Sequence, residues 1–489
     1  MVQRQHERRL LLPQTKRKNY TSSSSNSDGE TELELGTVDC KDVICFGERR
    51  INETTKSVND SAVKLKSSVF DMLRPSRRRC RLRHTARMVC CIMLAPILLL
   101  MLYIPLYPNM QTRQAALFDW SYNTSRNIAD YVLPDNNTAI LEPNEVCNSK
   151  VFLLVVVCSS IENFAIRRTI RETWANTTHF NYVMFSKLHS DFKGLYLDPA
   201  PERIRYYREY LNILNGDTTT VPAIVPVKVY FLLGRRPTDA NSYNETQTLI
   251  RNESEQYGDI IQENFIDTYN NLTLKSVLAL KWMCHRCPMR AAFFVKADDD
   301  TFLNIPNLLH YLLGGTLPLY NETIDLYDSR TYRVLSPGNR LNSTKNYLGG
   351  HLFCSSRPVA VLSNKWYMPY YMYPGDKYPL YLSGAAYVMS ADVVARLYYV
   401  ALNTTLIHIE DVYLTGMCAD KIHLQRHHNS LFNYMRAKDW CSFRGTITQH
   451  EVKDDSMLDA YLYVTNTSMY CAPPAKYMTR RLRKQIGCV

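Results

Sequence analysis

The sequence predicts an α/β domain with a mostly parallel central sheet, preceded by one transmembrane helix and a basic tail. Three observations predict it. Short, wholly apolar runs such as Val151–Val157 (VFLLVVV) are rich in β-branched residues, the pattern of strands covered on both faces, as in parallel sheets. Helical stretches alternate with such runs in β-α-β-α order, which places helices on both faces of the sheet and ligands at the carboxyl ends of the strands. Finally, Met88–Pro108 is a run of 21 uncharged residues, and at about 1.5 Å per residue a helix of that length crosses one bilayer core.

The 489 residues are 46% hydrophobic and 21% charged, a composition that buries a core and excludes a wholly disordered, collagenous or coiled-coil chain. The net charge of +12 is uneven, with 19 Lys/Arg against 11 Asp/Glu in residues 1–87 and 39 against 35 in the rest. Since two thirds of the basic excess lies in the tail, no nucleic-acid-binding globular domain is expected. The tail carries the polar run Thr21–Ser27 and few aromatics, so it reads as largely disordered.

Arg74, Arg77, Arg78, Arg79, Arg81, Arg83 and Arg87 precede the apolar span, whereas only Arg113 and Arg126 occur in the twenty residues after it. By the positive-inside rule residues 1–87 are cytosolic, 88–108 form a retained signal anchor, and the protein is type II. Ten sequons after the span suit a lumenal surface: Asn123, Asn136, Asn176, Asn244, Asn252, Asn271, Asn321, Asn342, Asn403 and Asn466. Nine cysteines also follow it, and in an oxidising lumen all but one are expected to pair. Cys284 and Cys287 resemble half of a zinc site, but no second pair of ligands follows at the required spacing.

Residues 109–148 are rich in Pro and Asn without periodicity and read as a stem, followed by a folded domain over 149–489. After the Val151–Val157 strand comes a helix in NFAIRRTIRETW, then a strand at Val227–Leu233, a helix over 241–257 and a short strand at Asp259–Ile261. A helix over Asn271–His285 and a strand at Ala291–Val295 complete the pattern. Asn181–Pro226 and Thr316–His351 are long, Tyr-rich and weakly periodic, and are expected to be surface insertions or substrate loops.

Three groups of residues offer chemistry. Asp298, Asp299 and Asp300 follow an apolar strand, and adjacent carboxylates there repel unless a cation or donor offsets them. A hard divalent ion takes such oxygen ligands and neutralises a diphosphate leaving group; the alternative is a solvated acidic turn. Glu410 and Asp411 precede a helix beginning at Val412, where they are either caps or a general base. Arg167 and Arg171 share a helix face at i, i+4 spacing and either grip a diphosphate or pair with nearby acids.

In order, RRTIRETW, VYFLLG, YGDIIQENFIDTYNNLTLKSVLALKW, FVKADDDTFLN, KYPLYLSGAAYVMS and IEDVYLTGMC resemble the successive signatures of the β-1,3-galactosyltransferase family over about 151–450. The resemblance implies a GT-A fold, an inverting Golgi enzyme, a UDP-sugar donor, a glycoprotein or glycolipid glycan acceptor, and Mn²⁺. It allows a homodimer. It makes Asp298 and Asp300 metal ligands with His450, Arg167, Arg171, Asp298 and Asp299 donor-binding residues, and Asp411, beside Glu410, the catalytic base. Lys365, Trp366, Tyr381, Ser383 and Gly384 match the segment lining the sugar sites. The donor expected first is galactose, with N-acetylglucosamine or N-acetylgalactosamine as alternatives; an inactive lectin-like or chaperone protein is the alternative of a different class.

Overall fold

The computed structural model describes residues 123–474, apart from 145–146, 215–218, 238–241, 329–330, 437–438 and 454, together with Leu117, Trp120 and a helical stretch over 92 and 94–101. The unit Met1–Thr85 lies outside the described residues, and everything below concerns the second unit, Ala86–Val489. Of the expected span at 88–108, the described part is helical with its side chains exposed; among the described residues no helix is long and apolar enough to cross a membrane.

Eight strands form the central sheet: β1 (Ala139–Leu141), β2 (Val151–Cys158), β3 (Val227–Arg235), β4 (Ile260–Ile266), β5 (Ala291–Asp298), β7 (Leu348–Phe353), β8 (Tyr381–Ser390) and β9 (Arg426–His428). A separate pair joins β6 (Phe302–Leu303) to β10 (Thr448–Gln449). The sheet order is β1-β4-β3-β2-β5-β8-β7-β9. The core run β4-β3-β2-β5 is parallel, while β8 lies antiparallel between β5 and β7, so the expected parallel sheet carries an antiparallel flank.

β2 is buried along its whole length because alternate side chains feed two different cores. Leu153, Val155 and Val157 pack with Ile166 and Ile170 of the helix Phe164–Glu172 and with Ile305, Leu308 and Leu312 of the helix Ile305–Leu312. Leu154 and Val156 pack with Val277 and Leu278 of the helix Leu272–Arg286 and with Val393 and Leu397 of Ala391–Leu402. Helices therefore cover both faces, and β2 is apolar throughout for that reason.

Four expectations are corrected. β4 runs to Ile266, well past the Asp259–Ile261 strand, because its polar residues are paired inside: Gln262 bonds Gln247 and the Gly234 carbonyl, and Glu263 accepts from Thr138 at 2.6 Å. The two Tyr-rich stretches are not surface loops. Phe185, Leu188, Ile204 and Tyr207 from the first and Tyr327 and Tyr347 from the second enter the core, and the second ends in β7. The stem boundary at 148 falls inside the folded unit, since β1 pairs with β4 and buried Lys281 donates to the carbonyls of Val132, Leu133 and Asn136. Among the described cysteines three thiols are free rather than one. Cys158 and Cys418 are buried like small hydrophobes and Cys284 is half-buried. Disulfides join Cys147 to Cys287 and Cys441 to Cys471, which removes Cys287 from any zinc site; Cys354 is also disulfide-bonded. None of the ten sequon asparagines after the span is buried.

Candidate active site

The site forms at the carboxyl ends of β2 and β5, where Cys158 and Asp298 are in register. The chain turns after Asp298, and β6 then pairs with β10 so that Phe302 faces Gln449. That pairing carries His450 to within 3.2 Å of Asp300, with the Val452 amide bonded to the Asp300 carbonyl. Ligand atoms of Asp298, Asp300 and His450 lie within 4.8 Å of one another, all three side chains half-buried.

These residues fit a divalent ion. The His450 Nδ1–H donates to the Tyr434 carbonyl at 3.0 Å, so Nε2 is the nitrogen turned to Asp300; it donates to that carboxylate while the imidazole is charged and becomes the ligand atom when a cation displaces its proton. One imidazole nitrogen and two carboxylates form a donor set for Mn²⁺ or Mg²⁺. Burial works to raise Asp300, but the bond and charge of His450 hold it below the usual range. For Asp298, burial prevails over the nearby lysine and pushes the carboxyl up to about 6. A second cluster, Glu322 with Asp439 and Cys441, offers no thiolate because Cys441 is in a disulfide.

Lys296, two residues before Asp298 and on the same face of β5, organises the rest. Its buried ammonium donates to Asp298 and to the Gly384 carbonyl, each at 2.6 Å, and lies 3.5 Å from Glu410. Burial opposes its charge, yet Asp298 and Glu410 hold it well above the ordinary lysine range. Glu410 is itself buried and accepts from Tyr387 at 2.6 Å, so it is enclosed by the protein.

Asp411 is held differently. It caps the wide π-type helical turn Val412–Cys418, with Oδ1 taking the Val412 amide at 2.8 Å and Oδ2 the Gly384 amide at 3.1 Å. As a residue it is partly exposed, whereas Glu410 is buried. Burial, then the Glu410 charge, push it up to about 7 against the pull of the two amides. A Cβ at position 384 would lie 3.4 Å from both Asp411 and Glu410, so glycine lets β8 run close beside the acids.

At the mouth, Trp366 is exposed with the Lys365 ammonium 4.7 Å from its ring centroid. Tyr269 links this pair to the acids: it hydrogen-bonds Trp366, and burial with the Asp411 charge pushes its hydroxyl up to about 12. Tyr381 is pushed to about 12 by the same two causes and is bonded to Ser356. Ser383 is buried on β8 beside Gly384.

The arginines and Asp299 do other work. Arg167 is fully buried, and its Nε and one terminal nitrogen pair with Glu253 while the other N–H groups go to Ser159 and the Ser160 and Ile161 carbonyls. Arg171 makes a two-point pair with Asp259 and a third bond to Glu253. Neither guanidinium is open to a diphosphate in this arrangement; Arg167 holds the loop after β2, and Arg171 ties its helix to Asp259 and to Glu253 of the helix Tyr243–Tyr257. Asp299, in the turn after the neighbouring strand β5, pins that loop, accepting from Ser159 at 2.7 Å and Asn163 at 2.8 Å. Sequence reasoning passed over Lys296, Tyr387, Tyr434 and Tyr269. A lysine inside the apolar strand AAFFVKAD was the one readable signal, because a buried ammonium needs nearby acids.

Three side chains able to hold a cation, beside a separate and partly exposed acid, make an arrangement suited to group transfer. Residues 215–430 match the family model described as Galactosyltransferase. The chain is 28% identical over 319 residues to "Beta-1,3-galactosyltransferase 1" of Mus musculus, covering 65% of this chain and 75% of the relative. It is 30% identical over 317 residues to "Beta-1,3-galactosyltransferase 2" of Mus musculus (63% and 68%). Over 283 residues it is 32% identical to "Lactosylceramide 1,3-N-acetyl-beta-D-glucosaminyltransferase A" of Danio rerio (57% of each). The chain belongs to the β-1,3-galactosyltransferase family of glycosyltransferases.

Proposed function

We propose that the chain transfers a hexose, galactose in the first reading, from its UDP conjugate to a glycan hydroxyl, making a β-1,3 linkage with inversion. The observation that carries this is the Lys296 clasp, which ties the Asp298 end of the cation site to the Gly384 and Glu410 groups that hold Asp411. Asp411 takes the acceptor hydroxyl proton, since it alone of the two acids is half open to the cleft and its affinity for a proton is matched to neutral pH. Gly384 and Val412 amides fix the carboxylate in direction. Glu410, enclosed by Tyr387 and Lys296, positions rather than reacts. Among the described residues Glu410 is enclosed and Asp411 is the acid left to the acceptor, so a single displacement needs no covalent enzyme intermediate. Tyr269, with the Lys365 ammonium 5.9 Å from its ring centroid, offers a stacking face and a cation to the sugars. Asp298, Asp300 and His450 would hold Mn²⁺, which when bound offsets charge on the departing diphosphate.

An N-acetylglucosaminyl donor is the second reading, favoured by the 32% identity to the Danio rerio relative of that name. The intact cation ligands and Asp411 speak against an inactive lectin-like protein. The arginine-rich flank before the 88–108 span supports a type II Golgi membrane protein with the domain in the lumen. The test is UDP release by the purified full-length chain, across a panel of UDP-sugars with Mn²⁺, with and without glycan acceptors. Acceptor-dependent release from UDP-galactose is expected; no release from any UDP-sugar overturns the reading.

A further inference from the structure

The loop between β7 and β8 carries an apolar tip beside Tyr269 at the mouth of the cleft. Val359 pairs with Tyr367, and the Met368 amide returns to the Val359 carbonyl at 2.9 Å, so residues 360–366 form a closed projection. Its base is anchored, since Tyr367 and Met368 are fully buried. Its tip is not: Val361 is 54% exposed, Leu362 53% and Trp366 48%, and Tyr370 just beyond is 51% exposed. Four large apolar side chains exposed within ten residues of one another, with Lys365 among them, are the composition of a surface that dips into a bilayer interface.

The route of the chain says which occupant covers it. Arg126 donates to the Tyr371 carbonyl at 2.8 Å and the Met372 carbonyl at 2.6 Å, and the Tyr371 hydroxyl donates to the Trp120 carbonyl. The folded unit therefore receives the incoming chain on the same loop that bears the apolar tip. Only eleven residues, 109–119, separate Trp120 from the end of the expected membrane span. Fully extended they reach at most about 40 Å, and as a flexible chain about 20 Å. A forty-residue stem would leave the domain free of the membrane; eleven residues bring the 359–372 loop within reach of it.

We propose that the 360–370 projection rests on the lumenal lipid surface, with Val361, Leu362 and Trp366 in the interface, and that the site consequently acts on glycans carried by lipid in the same membrane. The lipid contact rests on the 88–108 membrane span and stands independently of the transferase reading; the acceptor class rests on the transferase reading.

The test uses the full-length chain reconstituted in phosphatidylcholine vesicles, as wild type, Trp366→Phe, and the double variant Val361→Asp/Leu362→Asp. Brominated lipid is expected to quench the emission that wild type has and Trp366→Phe lacks, and to leave it unquenched in the double variant. A chain that floats with vesicles while Trp366 emission ignores the bromolipid overturns the contact, and so does a chain that fails to float. Activity is then compared on one glycan presented as a lipid conjugate in the vesicle and as a soluble oligosaccharide. The double variant is expected to lose about tenfold or more on the lipid conjugate, from losing two apolar insertions, and to stay within about twofold on the soluble glycan. Equal loss on both acceptors overturns the acceptor class. Quenching of Trp366 with no transfer to either acceptor upholds the contact and overturns the transferase reading.

Discussion

Asp411→Asn separates proton transfer from everything else Asp411 does. Asparagine keeps the size and the helix-capping oxygen, so the Val412 amide retains its partner, but it cannot accept the hydroxyl proton. A general base contributes about 10² to 10⁴ in rate, so turnover should fall by at least about a hundredfold while UDP-sugar affinity barely moves. The wild type should show the carboxylate directly. With the group pushed up to about 7, its ionised fraction goes from about a tenth at pH 6 to about nine tenths at pH 8, so turnover rises about tenfold across that window. Stability should move the other way. A carboxyl whose folded value lies above its unfolded value holds its proton more tightly when folded, so the native state loses stability as pH rises from about 4 to about 7. At about 1.4 kcal/mol per unit this is worth a few kcal/mol, and Asp411→Asn should therefore be the more stable protein at pH 8 and lose that advantage at pH 4. The assay pairs steady-state UDP release from pH 5.5 to 8.5 with thermal melts at the same pH values. Glu410→Gln is the control: it should lose stability through the Lys296 and Tyr387 contacts and keep a single rising pH profile, shifted to lower pH because the charge that raises Asp411 is gone. Retention of more than about a tenth of wild-type turnover by Asp411→Asn refutes the assignment, because no base contribution is that small.

Asp300→Asn should cut turnover by about 10² or more while leaving the melting temperature within a few degrees, and EDTA should mimic it; full activity in EDTA refutes the cation role. Arg167→Ala should destabilise the fold by about 3–5 kcal/mol, since it leaves Glu253 buried with Arg171 as its one cation, and denaturant melts should show this before any change in donor affinity is measurable. Asn19, Asn52 and Asn59 match the sequon but precede the span, so peptide mass analysis should find them without glycan; glycan on any of them reverses the topology.

The wholly buried β2, the alternation of strands and helices, the acidic turn after β5 and the Glu410–Asp411 pair were all determined by local sequence. Each rests on a short-range rule: period and burial for the strands, and clustered charge that demands a partner for the acids. Tertiary structure alone decided which acid is free. Glu410 and Asp411 are neighbours with similar chemistry, and only the arrival of Lys296 from β5 and Tyr387 from β8 encloses one and leaves the other half open. The fate of the arginines was likewise hidden, because Glu253 and Asp259 stand more than eighty residues from Arg171 and their pairing depends on where the helix Tyr243–Tyr257 packs. His450 meets Asp300 through a two-residue strand pair that carries almost no periodic signal. The stem was misread for a related reason: β1 is three residues long, and its place in the sheet is set by β4 and Lys281, which are far away in sequence. Composition and period report what a segment can bury; which groups meet at 3 Å is decided by packing between segments that the sequence keeps apart.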